Sequence, residues 1–270
     1  MLQPEIYYVS EADLNWLVTE FQQHKYEGLN NLTEKFMPRT DVGFVFHFKN
    51  TSFVWSNGNP VKLPPLYIAP INKQFLNVCL NEDIDTFYAL CKPTVLSRIL
   101  NIGLSPTNPY IVDVPKTVFH PLWEQMAPMT TMQERMDCFK EFFLNIHQKQ
   151  YVPDSIDILF ENIVEKSIGV PVKDIMQACC SSERTMERRF KIRAGVSIKT
   201  VMRLARFEYL WKKVRNEYVT DYQDLVFYGN FFDQTHYIKD FKNITGETPD
   251  YFFHRNLEIL NILSGRMPML

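Results

Sequence analysis

The sequence predicts an α+β chain in two parts: a β-rich barrel or sandwich in the first half, then an all-helical second half. Three observations carry this. Up to about residue 125, apolar residues alternate in short runs broken by Pro, Asn and Asp, the pattern of antiparallel strands. Over 129–147 the spacing changes to threes and fours, and from Ser155 onward the apolar runs keep that helical period. At 270 residues the chain is long enough for two cores, and 46% hydrophobic with 22% charged residues is ordinary for a globular protein.

Val42 to Phe48 places Phe44, Phe46 and Phe48 on one face of a strand and Val45 and His47 on the other. Thr51 to Trp55 follows, closed by Ser56-Asn57-Gly58-Asn59-Pro60, an Asn-Gly turn signal. Tyr67 to Ala69, Phe75 to Leu80 and Thr86 to Cys91 are further strands, and Thr94 to Leu100, after Pro93, reads as one short helix. Met129, Met132, Met136, Phe139, Phe143 and Ile146 then form an a/d-like seam on a helix over 129–147. Such a seam either pairs two copies into a homodimer or covers the helix's own β-domain, and the spacing leaves both open. Gln148 to Ser155, with Pro153, reads as a linker, which divides the chain into 1–150 and 155–270.

In the second part Ile156, Leu159, Phe160, Ile163 and Val164 make one apolar stripe, and a helix is expected from Val172 to about Cys179. Ser197 to Arg215 reads as one long amphipathic helix with Ile198, Val201, Met202, Ala205, Tyr209 and Leu210 on its apolar side. Its length is roughly 28 Å at 1.5 Å per residue. Thr220 with Gln223 reads as a capping box opening the next helix.

Two segments share one plan. Ser182-Glu183-Arg184-Thr185-Met186-Glu187-Arg188-Arg189-Phe190-Lys191 opens on a capping Ser182. Met186 and Phe190, four apart, share a face that packs inward. Asp233-Gln-Thr-His-Tyr-Ile-Lys-Asp-Phe-Lys-Asn-Ile-Thr-Gly-Glu-Thr-Pro249 repeats it. Asp233 caps, Tyr237 and Phe241 face inward, Gly246 stops the helix, and Thr248-Pro249 starts another. In this order and spacing the two segments resemble the paired helix-turn-helix units of AraC-type transcription regulators. The resemblance covers roughly the last 115 residues.

The resemblance implies a regulator that binds double-stranded DNA. Its base-reading positions fall on Arg184, Glu187 and Arg188 in the first motif and on Gln234, Thr235 and Lys239 in the second. Lys191 shares the outward side of the first helix, and Lys242 joins the DNA-facing set of the second. Arg bonds a guanine edge through two parallel bonds, Glu accepts from cytosine N4, and Gln reads adenine. Arg189, Arg193 and Lys199 are placed as phosphate ligands. Charge agrees. Residues 184–215 hold 11 basic side chains against Glu187 and Glu208, although the whole chain has a net charge of −2. The long linking helix approaches the ~34 Å between successive major-groove faces, so one chain could read an asymmetric site.

The chain departs from the family pattern at four positions. Asn230 stands for the turn glycine before Asp233 and is the non-glycine residue best suited to a left-handed conformation. Val226 and Leu210 stand where the family has a small Ala, and Cys180 stands at the first motif's turn glycine.

The same sequence excludes several classes. A cupin-like first half would carry metal on a His-x-His…Glu pattern, but His24, His47, His120 and His147 are scattered, and His236 has no ligand-spaced neighbour. There is no Gly-x-Ser-x-Gly, P-loop or dinucleotide turn, so no catalytic residue, metal or cofactor is expected. Five cysteines, an odd number without Cys-x-x-Cys, suit reduced thiols. The Cys179-Cys180 pair reads as small residues in a helix turn rather than a redox switch. Met1 to Glu5 lacks a basic or apolar leader, and no run approaches a membrane span, so the expected location is the cytoplasm. Phe44, Phe46, Phe48, Phe53 and Trp55 are either ordinary core or the lining of a pocket for a small-molecule effector. Around Phe119-His120-Pro121-Leu122-Trp123 and Met132, Glu134 and Arg135, the first half also resembles sensor halves of a subgroup of the same family. Three functions follow: an effector-responsive regulator, a regulator whose first half only dimerises or contacts partners, and a barrel enzyme fused to a DNA-binding domain.

Overall fold

A computed structural model describes residues 4–9, 14–56, 58–105, 108–147, 150–166, 168–171, 174–175, 182–217 and 221–263. Its first half is one antiparallel sheet of β1 (Glu5–Tyr8), β2 (Val18–Phe36), β3 (Val42–His47), β4 (Phe53–Ser56), β5 (Asn59–Lys62), β6 (Leu66–Ala69) and β7 (Leu76–Cys91). The strand order is β1-β2-β7-β3-β6, with β4 bonded to β7 and β5 to β4. Helices α1 (Pro93–Leu100), α2 (Lys116–Met126) and α3 (Met132–Ile146) accompany the sheet. The second half is helical: α4 (Ser155–Lys166), α5 (Glu183–Ala194), α6 (Ile198–Glu217), α7 (Tyr222–Tyr228), α8 (Gln234–Thr245), α9 (Pro249–His254) and α10 (Glu258–Leu263). The sequence predicts this division into a β-rich part and an all-helical part. The expected helix at 172–179, the Cys179-Cys180 pair, Asn57 of the turn signal and Thr220 lie outside the described residues, apart from Asp174 and Ile175.

Two long strands organise the sheet. β2 and β7 run antiparallel from Val18 opposite Cys91 to Phe36 opposite Leu76, with register shifts between Tyr26 and Leu32. Facing that irregularity, Glu82 takes a positive φ of 63°. The run Asn81-Glu82-Asp83, which the sequence reads as a break between two strands, is therefore a bulge within one.

One sheet face is aromatic and dry. Phe21, Phe44, Phe46 and Phe87 meet Phe119 of α2 and Phe139 and Phe143 of α3. Ring centroids are 5.0 Å apart for Phe44–Phe119 and 5.6 Å for Phe21–Phe139. Met132, Met136, Phe139 and Phe143 are all buried in this contact. The α3 seam thus covers its own sheet, one of the two readings its spacing left open: those side chains have apolar partners within the chain. A capping box between Thr131 and Glu134 opens α3. Arg135, itself buried, grips Asp85 with two bonds of 2.5 and 2.8 Å and lies 4.0 Å over the Phe48 ring.

The other face buries polar groups beside the apolar cluster of Val45, Val54, Leu63 and Tyr67. Gln22 donates to Glu20, His24 bonds Gln22 at 3.0 Å and Tyr26 at 3.1 Å, and His47 bonds Thr86 at 2.8 Å. Burial pushes His24 down to about 3 and His47 down to about 4, so both rings are neutral near pH 7. A cavity of about 20 Å³ remains among His24, Tyr26, Ser52 and Tyr88, room for a single water.

Candidate nucleic-acid interface

The first motif becomes α5. Met186, Phe190 and Ala194 recur every four residues and are fully buried, with Phe190 stacked on Phe160 of α4. This fixes which side of the helix faces out. Arg184, Glu187, Arg188, Arg189 and Lys191 are exposed on that side. Ser182 sits at the N-cap with extended backbone, yet its hydroxyl bonds Thr185 Oγ1 at 3.0 Å rather than a free backbone N–H. Lys199, in the first turn of α6, is exposed as well.

Arg193 is elsewhere. Its guanidinium turns inward to Asp154 at 2.5 Å, to Asp157, and to the Thr94 carbonyl at 2.6 and 3.0 Å. Its side chain is 12% exposed. The expectation that Arg193 holds a DNA phosphate is therefore corrected: it lies five residues from Arg188, on the other side of α5, and is engaged in a buried cluster. Basic residues of the long helix divide in the same way. Arg203 pairs with Asp240 of α8 at 2.7 Å, and Arg206 lies 4.8 Å over the Phe231 ring.

The second motif becomes α8. Asp233 accepts from the His236 N–H at 2.7 Å, a true side-chain cap. Tyr237, Phe241, Ile244 and Thr245 are buried, while Gln234, Thr235, Lys239 and Lys242 are exposed. His236 is exposed and meets the Phe231 ring edge-on at 5.2 Å. Gly246 ends the helix at φ 78°, and Thr248 with Pro249 starts α9 by capping Tyr251. One helix earlier, the cap of α7 is Asp221, which accepts from the N–H groups of Gln223 and Asp224. This replaces the expected Thr220 cap.

The family departures have physical explanations. Asn230 takes φ 48°, the left-handed turn the sequence predicts for it. Its neighbour Gly229 has an ordinary φ of −80° and serves a different end. A Cβ there would lie 2.4 Å from the Phe231 ring and 3.0 Å from Leu210. The missing side chain at 229 makes room for the large residue at 210. Nothing in the sequence reading singled out Gly229; the signal was its adjacency to the turn position opposite an enlarged Leu210.

Helices α5 and α8 are both fastened to the first half at their last turns. The Leu104 N–H donates to the Ile192 carbonyl of α5, and the Phe75 N–H to the Ile244 carbonyl of α8, each at 2.9 Å. Ser105 and Gln74 add bonds to the Lys191 and Asn243 carbonyls. Gly195, capping α5 at φ 79°, sits so close to Leu104 that a Cβ would lie 2.2 Å from its carbonyl oxygen. Near α8, Lys35 of β2 bonds Glu247 at 2.6 Å and Arg255 bonds Glu34 at 3.1 Å. Phe75 also packs edge-on against Phe207 and Phe252.

Among the described residues, no group of three or more His, Cys, Asp or Glu stands together as a metal site, and no helix is long and apolar enough to cross a membrane. No family profile and no curated protein sequence matches the chain. Solved structures similar to it include ToxT from Vibrio cholerae, at 13% identity and a TM-score of 0.48, covering 86% of this chain and 98% of that one. ToxT from Vibrio cholerae O395 bound to (E)-4-(8-methylnaphthalen-1-yl)but-3-enoic acid is similar over the same shares, at 13% identity and 0.47. So is unsaturated fatty acid bound wild-type ToxT from Vibrio cholerae strain SCE256, over 91% of this chain and 96% of that one, at 13% identity and 0.47.

Proposed function

We propose that the chain is a sequence-specific, double-stranded-DNA-binding transcription regulator of the AraC type, with residues 155–270 as its DNA-binding domain. The observation that carries the proposal is a repeated arrangement. Two helices, α5 and α8, each bury a pair of large side chains four residues apart, Met186 and Phe190 on one and Tyr237 and Phe241 on the other. Each presents the opposite face as an exposed set of base-reading residue types: Arg184, Glu187 and Arg188 on one, Gln234, Thr235 and Lys239 on the other. Arg189, Lys191, Lys199 and Lys242 supply phosphate contacts. Residues 1–150 form the regulatory part and answer a small-molecule effector.

The test starts from the duplexes that the purified chain retains from fragmented genomic DNA. Arg184→Ala and Arg188→Ala should each lose about 1–3 kcal/mol on the retained sequence. Random DNA should be bound nearly as before. Equal losses on both would remove base reading from these residues. The filled interior of the sheet favours a second reading, in which the first half only contacts other proteins. A ligand that raises the melting temperature of the whole chain and shifts its DNA affinity decides for the effector; an effector-free change on adding a protein partner decides for the second.

A further inference from the structure

Between the two halves lies an open cleft of about 690 Å³. Trp55, Ser56 and the segment from Ile71 to Asn77 form the wall contributed by the sheet, and Lys191, Gly195 and Val196 form the wall contributed by α5 and its exit. Its charge is one-sided. Lys73 and Lys191 line it, and no Asp or Glu does. Both lysines are exposed, and neither has an ion-pair partner among the described residues. Asn72, Asn77, Ser56 and Tyr110 add neutral polar groups of the kinds that contact phosphate oxygens.

Lys191 is also part of the α5 surface. It follows Arg184 by seven residues and Arg188 by three, which puts all three on one stripe of the helix. That stripe is the exposed one, opposite Met186 and Phe190. The basic surface of the first motif therefore continues past the end of α5 into a cleft whose far wall belongs to the first half. Lys73 is the other cation that lines this cleft.

We propose that the sheet domain takes part directly in DNA contact, with Lys73 binding a backbone phosphate beyond the one held by Lys191. The inference rests on the DNA-binding reading above and extends it to a residue outside the helix-turn-helix domain. A contact of this kind carries no sequence information. It neutralises one more phosphate, so it adds about one unit to the slope of log affinity against log salt.

The test is a salt titration of DNA affinity with the full chain. Lys73→Ala should flatten the slope by about one and weaken retained and random duplexes alike. Lys73→Arg should keep the wild-type slope. Lys116→Ala, an exposed lysine on α2 away from the cleft, should leave it unchanged. A wild-type chain that binds duplex with a slope equal to that of Lys73→Ala overturns this inference alone. A wild-type chain that binds no duplex overturns the functional reading and this inference with it. Weaker binding by Lys73→Ala at unchanged slope also overturns it, since the lysine would then act other than by neutralising a phosphate.

Discussion

Replacing Arg193 by Ala distinguishes a structural cation from a DNA ligand. The side chain is largely buried, with Asp154, Asp157 and the Thr94 carbonyl around it. Removing one partner of a buried ion pair costs about 3–5 kcal/mol, because the remaining charge is left without compensation. Here the loss should fall near the lower end. Asp157 keeps Tyr151 at 2.6 Å and Arg98 at 3.4 Å, so its carboxylate is not stranded. A loss of about 3 kcal/mol lowers the melting temperature of a chain this size by roughly 6–12 °C. The assay pairs thermal unfolding of the full chain with a salt titration of DNA affinity. The expected result is a clear fall in melting temperature and an unchanged salt slope. An unchanged melting temperature together with a slope reduced by about one would refute the reasoning and return Arg193 to the phosphate backbone.

Other perturbations follow from the second motif and from the polar interior. Asn230→Gly should be near neutral and Asn230→Val should lose about 1–2 kcal/mol, since φ of 48° suits Gly and Asn but not a β-branched side chain; urea unfolding of the two variants checks it, and equal stabilities would contradict it. Gly229→Ala should cost about 1–3 kcal/mol by overpacking against Phe231 and Leu210. Adding Leu210→Ala should recover part of that loss, whereas strictly additive losses would show that the two sites do not share space. His24 and His47 stay neutral in the folded chain down to about 3 and 4, whereas unfolded histidines protonate near 6.5. Below pH 6.5 the unfolded state therefore binds more protons. Stability should be level above that pH and roughly 4 kcal/mol lower at pH 5 than at pH 7. Thermal melts across pH test this, and His47→Asn should remove about half of the dependence.

The helical half was legible because its signals are local. A cap, an apolar pair four residues apart and a glycine stop lie within a dozen residues, and Asp233, Tyr237, Phe241 and Gly246 all take the places those signals assign. Asn230 could be read for the same reason, since its conformation follows from its own side chain. β2 could not. Its Glu20, Gln22 and His24 point to one face and are buried, so polar residues fill a face that a sequence pattern would take as solvent-facing. They are tolerated inside because they bond one another along the strand, and Arg39, nineteen residues on, pairs with Glu20 at 2.9 Å. The bulge at Glu82 misled the reading because a polar triplet looks the same in a turn and in a bent strand. α2, which carries Pro121 within its span, gave no clean helical pattern. Arg193 was misplaced for a related reason. A basic run shows how much charge a helix carries, and only the packing of α1 and α4 shows which cation turns inward.

The two carbonyl bonds that fasten α5 and α8 to the first half bear on how the proposed two-helix DNA binder would gain affinity. Two weakly binding heads joined by a linker gain from each other only if the second is already near its target when the first has landed. The gain is an effective concentration, highest when their separation matches the target and is held there. Along the chain the long helix α6 and the short α7 join the two helices, and Arg203 of α6 pairs with Asp240 of α8. Leu104 and Phe75 tie the same two helices to the first half, and in the proposed regulator this bracing would lower the ordering entropy lost on docking. In the proposed regulator, a change that pulled either loop away would leave both helices chemically intact and still weaken DNA binding, because each would then search for its half-site largely alone.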